Sequence, residues 1–362
     1  MNRKKVILIC LVLILLIASI VTFTFRPHNQ GLYKVTILPT LGGEFTLPQS
    51  INDNGQVAGF SKVSQGNYHL FLWDKENGMQ DLGPVLKGNI SINNTCQIAA
   101  NFTDPNGNHR SFIYDPNIGR TILPTFGGNS SYVYSINDNK QVVGNAETSL
   151  GEDHAFIWDA INGIQDLTPN NSKHAIALSI NNKSQITITV VDKSSSLLAT
   201  INEDKTISYL SIPFSLRKIN NNGYIVGHVR NKKSKFDFAT WHQVFGQNTL
   251  FQSTPDSSSY NINDHNQIIV SEGQKHVGFL NNILKPPPNK NYLIDPNLGM
   301  ISLDGYAFVG RHENLVLMDI NNEGWIIGTI QSTNDSTKKS VGVLFEPIPE
   351  KMEKLSQKSK PK

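Results

Sequence analysis

The apolar residues of this chain follow two patterns. Residues 6–25 form one uncharged run rich in Ile, Leu and Val, whereas later apolar residues occur in short alternating segments such as residues 154–158, HAFIW. A helical run of about 20 residues spans about 30 Å, close to the hydrocarbon thickness of a bilayer. Alternation with a period of two indicates strands with one buried face. These patterns predict one N-terminal transmembrane helix followed by an all-β domain.

A decapeptide recurs along the β-rich part of the chain. Its clearest copies are SINDNGQVAG at residues 50–59 and SINDNKQVVG at residues 135–144. Each copy leads from a strand into an Asn- and Gly-containing turn, because both residues tolerate the positive φ of tight hairpins. The residues predicted to build these turns are Asn52, Gly55, Asn93, Asn137, Asn181, Asn220, Asn263 and Asn321.

Two further strand-like elements follow the clearest turns. One begins at a histidine and the other is a short segment such as residues 164–167, IQDL. Four short strands in about 43 residues make a small sheet that must stack on its neighbours to bury its faces. Seven such units predict an all-β fold, a seven-bladed β-propeller. The residues assigned to packing within and between repeats are His69, Trp73, His109, His154, Trp158, Trp241 and His276.

The two ends of the repeat region complement each other. The last unit runs into Pro347 and Pro349, which cannot donate ladder hydrogen bonds, so this unit lacks a fourth strand. Residues 33–43 match the end of a unit but precede the first turn. We therefore predict that residues 33–38 pair with residues 341–345. This pairing would close the ring and remove exposed sheet edges.

The repeats resemble the HAF repeat family, which is named for a His-Ala-Phe element like that at residues 154–156. The decapeptide stands before this element, and DLG at residues 81–83 and LGG at residues 41–43 match the segments that follow it. The resemblance is specific in residues 31–170 and looser in residues 171–346. It implies an exported bacterial repeat protein with a propeller-like fold, and it implies no established activity.

The domain organisation follows from these segments. They are a basic cytoplasmic start (1–5), a transmembrane signal-anchor (6–25), a linker (26–31), the propeller (32–348) and a disordered basic tail (349–362). Basic residues at the start favour the cytoplasmic side, which places the propeller in the periplasm or at the cell surface. A cleaved signal peptide is the alternative, and it would make the protein secreted. The apolar run is longer than the roughly 7–15 residues usual for such a peptide.

Charge and cysteine content exclude several function classes. The chain has 32 Lys and Arg against 29 Asp and Glu, with the basic excess at its two ends, so the repeat region is mildly acidic. We therefore expect no nucleic-acid partner, because phosphate contacts need a basic surface. The two cysteines are Cys10, inside the apolar run, and Cys96. This number excludes a disulfide framework, a Cys-rich zinc site and an iron–sulfur site.

The sequence contains none of the common catalytic or phosphate-binding motifs. The turns lack the alternating acids and the bidentate Glu of a calcium loop. We therefore expect no catalytic residue, no cofactor, no metal and a monomeric protein. The favoured function is a membrane-tethered, extracytoplasmic recognition or scaffold domain for a protein or a glycan. The alternative is a glycan-acting hydrolase or lyase, which would bring two acids, or Tyr with Arg, together at the channel mouth.

Overall fold

The structure, a computed structural model, describes residues 31–64, 66–169, 172–192, 195–210, 214–230, 236–253, 259–272, 290–304, 313–332 and 339–359. The predicted signal-anchor and His276 lie outside these ranges. Within them, no helix has both the length and the apolar character needed to cross a membrane.

The described residues form strands and one C-terminal helix. The first strands are β1 Tyr33–Ile37, β2 Gly42–Ile51, β3 Val57–Val63, β4 Tyr68–Asp74, β5 Gly78–Pro84, β6 Ser91–Ile92, β7 Ile98–Thr103, β8 His109–Asp115, β9 Gly119–Ile122, β10 Gly127–Ile136, β11 Val142–Thr148, β12 Asp153–Asp159, β13 Gly163–Asp166 and β14 His174–Ile180. They are followed by β15 Ile186–Asp192, β16 Ser195–Ile201, β17 Ile207–Leu210, β18 Phe214–Ile219, β19 Ile225–Arg230, β20 Phe236–His242, β21 Gly246–Ser253, β22 Ser259–Ile262, β23 Ile268–Glu272, β24 Lys290–Asp295, β25 Gly299–Ser302, β26 Glu313–Ile320, β27 Ile326–Ser332, β28 Ser340–Pro347 and α1 Pro349–Ser359.

The strands associate in groups of four, and consecutive strands of a group pair antiparallel. The first six groups in chain order are β2–β5, β6–β9, β10–β13, β14–β17, β18–β21 and β22–β25. The seventh contains β26, β27 and β28 together with β1 from the start of the chain. One parallel bridge between Phe45 and Ser340 joins the seventh group to the first. The chain therefore has an all-β, propeller-like architecture of four-stranded sheets.

Each group begins with a hairpin whose turn is the repeated Ile-Asn segment. In the first group the Gly55 N–H donates to the Asn52 carbonyl oxygen over 3.0 Å. Gly55 has a φ of +75°, a conformation that glycine adopts without a steric cost, which confirms the sequence prediction for this residue. The equivalent residues of the other turns have φ values between 57° and 80°, and they are Cys96, Lys140, Ser184, Gly223, Asn266 and Gly324.

The first strand of the described chain completes the last group. β1 pairs antiparallel with β28, placing Val35 opposite Phe345 and Ile37 opposite Val343. Beyond β1, the Leu38 N–H donates to the Gly342 carbonyl oxygen over 2.9 Å. These contacts confirm that the two ends of the repeat region pair with each other.

The C-terminal segment differs from its expectation. Residues 349–362 are expected to be disordered, but α1 covers Pro349–Ser359, so the expectation is wrong for these residues. A proline suits the first turn of a helix, where its missing N–H leaves no bond unmade. Met352 packs against a core cluster that includes Tyr33 and Phe345. This contact buries an apolar side chain of α1 against the core. The basic composition of the segment does not indicate such a contact.

Candidate functional site

A closed ring of hydrogen bonds joins the seven turns at one end of the central channel. The side-chain amide of each turn asparagine donates to the backbone carbonyl of the next, from Asn52 to Asn93 over 3.0 Å and onward, until Asn321 donates to Asn52 over 2.9 Å. The intermediate donors are Asn93, Asn137, Asn181, Asn220 and Asn263. Each of the seven is 3% or 4% exposed. We call this end of the channel the turn face.

A second ring lies one residue further along each turn. Its members, in order around the channel, are Asp53, Asn94, Asp138, Asn182, Asn221, Asp264 and Asn322. The backbone N–H of each donates to the side-chain oxygen of the next, over 2.7 to 2.9 Å. Acids alternate with amides except between Asn182 and Asn221, because an odd ring cannot alternate completely. Two adjacent asparagines avoid the repulsion of two adjacent carboxylates.

The residue before each Ile-Asn pair forms a third layer inside the channel. In four groups it is a serine, and its hydroxyl accepts the backbone N–H of the isoleucine in the next group over 3.3 to 3.4 Å. The serines are Ser50, Ser91, Ser135 and Ser179. The other three groups carry Lys218, Asn261 and Asp319 at this position.

Asp319 is the centre of the polar contacts in this layer. It is 2% exposed, and Lys218 Nζ donates to its Oδ1 over 2.9 Å. Oδ1 also accepts the Asn261 amide and the Ile320 N–H, while Oδ2 accepts the Ser50 hydroxyl and the Ile51 N–H. Five donors therefore surround one buried carboxylate, so both of its oxygens have hydrogen-bond partners.

A cavity of about 420 Å³ opens from this layer toward the end of the channel opposite the turn face. We call this end the cup face and the cavity the cup. Polar side chains including Gln49, Asn89, Tyr134 and Ser259 line it, together with Lys218. Burial raises the pKa of the Tyr134 phenol, so this group stays protonated and can donate a hydrogen bond. Lys218 also lines a cavity of about 250 Å³ at the turn face.

The acids of the channel already have partners. Asp53 Oδ2 accepts the side-chain amides of Asn94 and Asn322, and its Oδ1 accepts the Asn322 N–H. Asp138 and Asp264 are held in the same way by their neighbours. Within the described ranges, no three His, Cys, Asp or Glu side chains are grouped as metal ligands. The carboxylates of Asp53, Asp138 and Asp264 are therefore engaged by the side-chain amides of neighbouring turns.

The structure brings only one of the two predicted residue sets to the channel. The turn asparagines form its first ring, whereas the repeated histidines lie in separate groups. The His69 Nδ1 lies 2.9 Å from the Asp81 carboxylate, and the His154 Nδ1 lies 2.7 Å from Asp166. The ring of His109 packs on Tyr132 with 5.4 Å between centroids.

The tryptophans lie between groups. Trp73 is 6% exposed and packs in a cluster with Ile327 and Leu344 of the seventh group. Trp158 contacts a cluster that includes Ile113 of the second group, and Trp241 one that includes Leu198 of the fourth. These contacts link neighbouring sheets.

Lys218 and Asp319 are two channel residues that the sequence repeat does not predict. A signal was present, because both occupy the position that is serine in the four groups named above. A lysine and an aspartate that replace serine at equivalent positions of a closed ring can meet across the channel, and their opposite charges indicate that they do.

Solved structures share the architecture at low sequence identity. The β-propeller domain of the Trilobed protease from Pyrococcus furiosus, described as having an open velcro topology, aligns with a TM-score of 0.56 and 9% identity over 83% of this chain and 95% of that one. A mutant of puromycin hydrolase aligns with a TM-score of 0.53 and 10% identity over 80% of this chain and 50% of that one. A post-proline cleaving enzyme from Rickettsia typhi aligns with a TM-score of 0.51 and 13% identity over 76% of this chain and 48% of that one. The chain thus spans about half the length of these last two enzymes. The similarity establishes a β-propeller-like fold.

Sequence comparison establishes the family. No curated protein matches the chain. The profile of DUF3466, described as a protein of unknown function, matches residues 43–248, which is more than half of the chain. The chain therefore belongs to the DUF3466 family.

Proposed function

We propose that this protein is a seven-bladed β-propeller, tethered outside the cytoplasm by residues 6–25, which recognises a glycan through the cup. The blade count is supported by the seven groups of four strands and by the asparagine ring that returns from Asn321 to Asn52. The exported location is supported by the apolar run and by the resemblance to the HAF repeat family. Both the location and the resemblance remain predictions.

The main support for a recognition function is the set of side chains that line the cup. A volume of about 420 Å³ falls within the usual range for ligand pockets, roughly 300–1,000 Å³. Most such pockets are apolar, but hydroxyl and amide side chains dominate this one. Such groups match the hydroxyls of a saccharide, and Tyr134 adds an aromatic surface next to them. A glycan terminus is therefore favoured over an extended protein partner.

The alternative is a glycan-acting hydrolase or lyase. Three acids, Asp53, Asp138 and Asp264, do line the cavity at the turn face. General acid–base catalysis needs carboxylates within reach of a substrate proton. These carboxylates are engaged by the amides of neighbouring turns, which favours a structural role for them.

A glycan array with the purified protein, followed by calorimetry of the retained glycans, tests recognition by the cup. We expect Tyr134→Ala and Gln49→Ala to weaken binding at least tenfold, because both side chains line the cup. The matched control is Tyr209→Ala, since Tyr209 is 52% exposed on the outer strand β17, away from the channel.

Equal binding by cup and control variants would refute the cup as the site. Absence of any retained glycan would refute glycan recognition. If the wild-type protein cleaved a bound glycan and the Asp264→Asn variant did not, the enzymatic alternative would be established.

Fractionation of producing cells tests the membrane tether. We expect membranes washed at alkaline pH to keep the full-length chain, and protease added outside the inner membrane to digest it. A soluble form that begins near residue 20 or 30 would instead establish a cleaved signal peptide.

A further inference from the structure

Exposed apolar side chains lie at the tips of three outer hairpins. Ile118, between β8 and β9, is 78% exposed, and Ile161, between β12 and β13, is 93% exposed. Val244 and Phe245, between β20 and β21, are 78% and 73% exposed. One exposed apolar residue is ordinary, but apolar residues at equivalent hairpins of three groups indicate an interaction surface. We call these four residues the apolar tips.

Strand register places the apolar tips on the turn face. Val142, which follows the third turn, pairs with Trp158 at the end of β12, so Ile161 lies at the same end of its sheet as that turn. The second and fifth groups have the same register, with Ile98 opposite Tyr114 and Ile225 opposite Trp241. Because the asparagine ring joins all seven turns, the tips share one face of the molecule.

The chain enters the propeller at this same face. Tyr33 pairs with Pro347, which ends β28, and Phe345 of that strand pairs with Ile326 just after the seventh turn. The Gly31 carbonyl oxygen accepts a hydrogen bond from Lys351 Nζ of α1 over 3.0 Å. Five residues, 26–30, separate Gly31 from the apolar run, and they reach at most about 18 Å.

Helix α1 brings two described lysines, Lys351 and Lys354, to this entry point. Residues 351–362 contain five lysines and one acid, and Lys354 of α1 is exposed. Anionic lipid headgroups attract such segments by about 1 kcal/mol per lysine near the surface. Exposed apolar side chains combined with lysines are features by which proteins bind a membrane interface.

We propose that the turn face lies on the membrane that holds residues 6–25, with the apolar tips among the lipid headgroups. The cup face then points away from the membrane, toward ligands in the surrounding space. This inference rests on the proposed membrane tether, and it adds an orientation that the tether alone does not impose.

Spin-label accessibility in vesicles tests the orientation. The full-length chain with Cys10→Ser and Cys96→Gly is labelled at Ile161→Cys and reconstituted into vesicles that contain phosphatidylglycerol. The matched control is a label at Leu150→Cys, because Leu150 is an 82% exposed apolar residue in the hairpin between β11 and β12, at the opposite face. Collision rates with oxygen and with a water-soluble nickel complex are measured before and after reconstitution.

We expect the ratio of oxygen to nickel collisions to rise severalfold at residue 161 and to stay unchanged at residue 150. Equal ratios at the two positions in protein that floats with the vesicles would overturn the docking and leave the tether standing. Protein that does not float would overturn both. A label at residue 161 that is shielded from both reagents only in native membranes would identify a protein partner and overturn the lipid contact.

Discussion

Lys218 Nζ donates to Asp319 Oδ1 over 2.9 Å inside the channel, although the two residues are 101 positions apart in the sequence. Lys218 cannot accept the Ile262 N–H as a serine would, and that N–H donates to Asn261 Oδ1 instead. The Asn261 side-chain amide in turn donates to Asp319. The charged pair and Asn261 thus replace the serine contacts in three adjacent groups.

We expect Asp319→Ala to lower the free energy of unfolding by about 3 kcal/mol, because removing one partner leaves buried donors without an acceptor. These donors include the Ser50 hydroxyl and the Ile51 N–H. Lys218→Met is the matched control and should cost only about 1 kcal/mol, since Asp319 keeps four other donors. Denaturant titration measures both losses. Equal losses would show that the ion pair itself, and not the acceptor role of Asp319, stabilises the channel.

The hydrogen bonds of the second ring predict which of three Asp→Asn substitutions destabilise the protein most. Asp138→Asn and Asp264→Asn should each cost about 1 kcal/mol more than Asp53→Asn. The amides of Asn182 and Asn221 donate to Asp138 and Asp264 respectively, and they flank the position where alternation fails. The two amides beside Asp53 also reach a second carboxylate, so they keep an acceptor when Asp53 is replaced. Thermal unfolding of the three variants measures the order, and a larger loss for Asp53→Asn would contradict this account of the ring.

The sequence predicted the parts of the fold that repeat. Ile-Asn spacing identified the turns, and the unmatched ends identified the pairing of β1 with β28, whose register the structure shows to place Val35 opposite Phe345. It did not identify the contact of Lys218 with Asp319, because each lies in a degenerate copy and their distance depends on the completed ring. Helix α1 was missed for a similar reason, since the cluster that Met352 packs against combines Tyr33 of β1 with Phe345 of β28, which are far apart in the sequence.

The turn glycines allow a paired test of backbone strain. We expect Gly55→Val to destabilise the protein by more than 2 kcal/mol, because left-handed geometry costs an L-residue about 1–2 kcal/mol and the side chain adds a clash. A Cβ at Gly55 would lie 2.6 Å from the Trp325 ring. Lys140→Gly places glycine at an equivalent position with a φ of 63°, and it should raise stability by up to about 1 kcal/mol. Melting temperatures that fall for both variants would refute strain as the cause.

Closure of the ring by β1 predicts that the N-terminal strand belongs to the cooperative core. Leu38, which follows β1, is 1% exposed, and its side chain packs in a cluster with Val57 of the first group and Leu344 of the seventh. Leu38→Ala should therefore cost about 2–5 kcal/mol, the usual range for a buried leucine. The neighbouring Ile37 is 69% exposed, so Ile37→Ala should cost less than about 0.5 kcal/mol. Calorimetry should show one transition that shifts as a whole for Leu38→Ala. A separate early transition for the N-terminal strand, with the main transition unchanged, would mean that β1 does not close the ring.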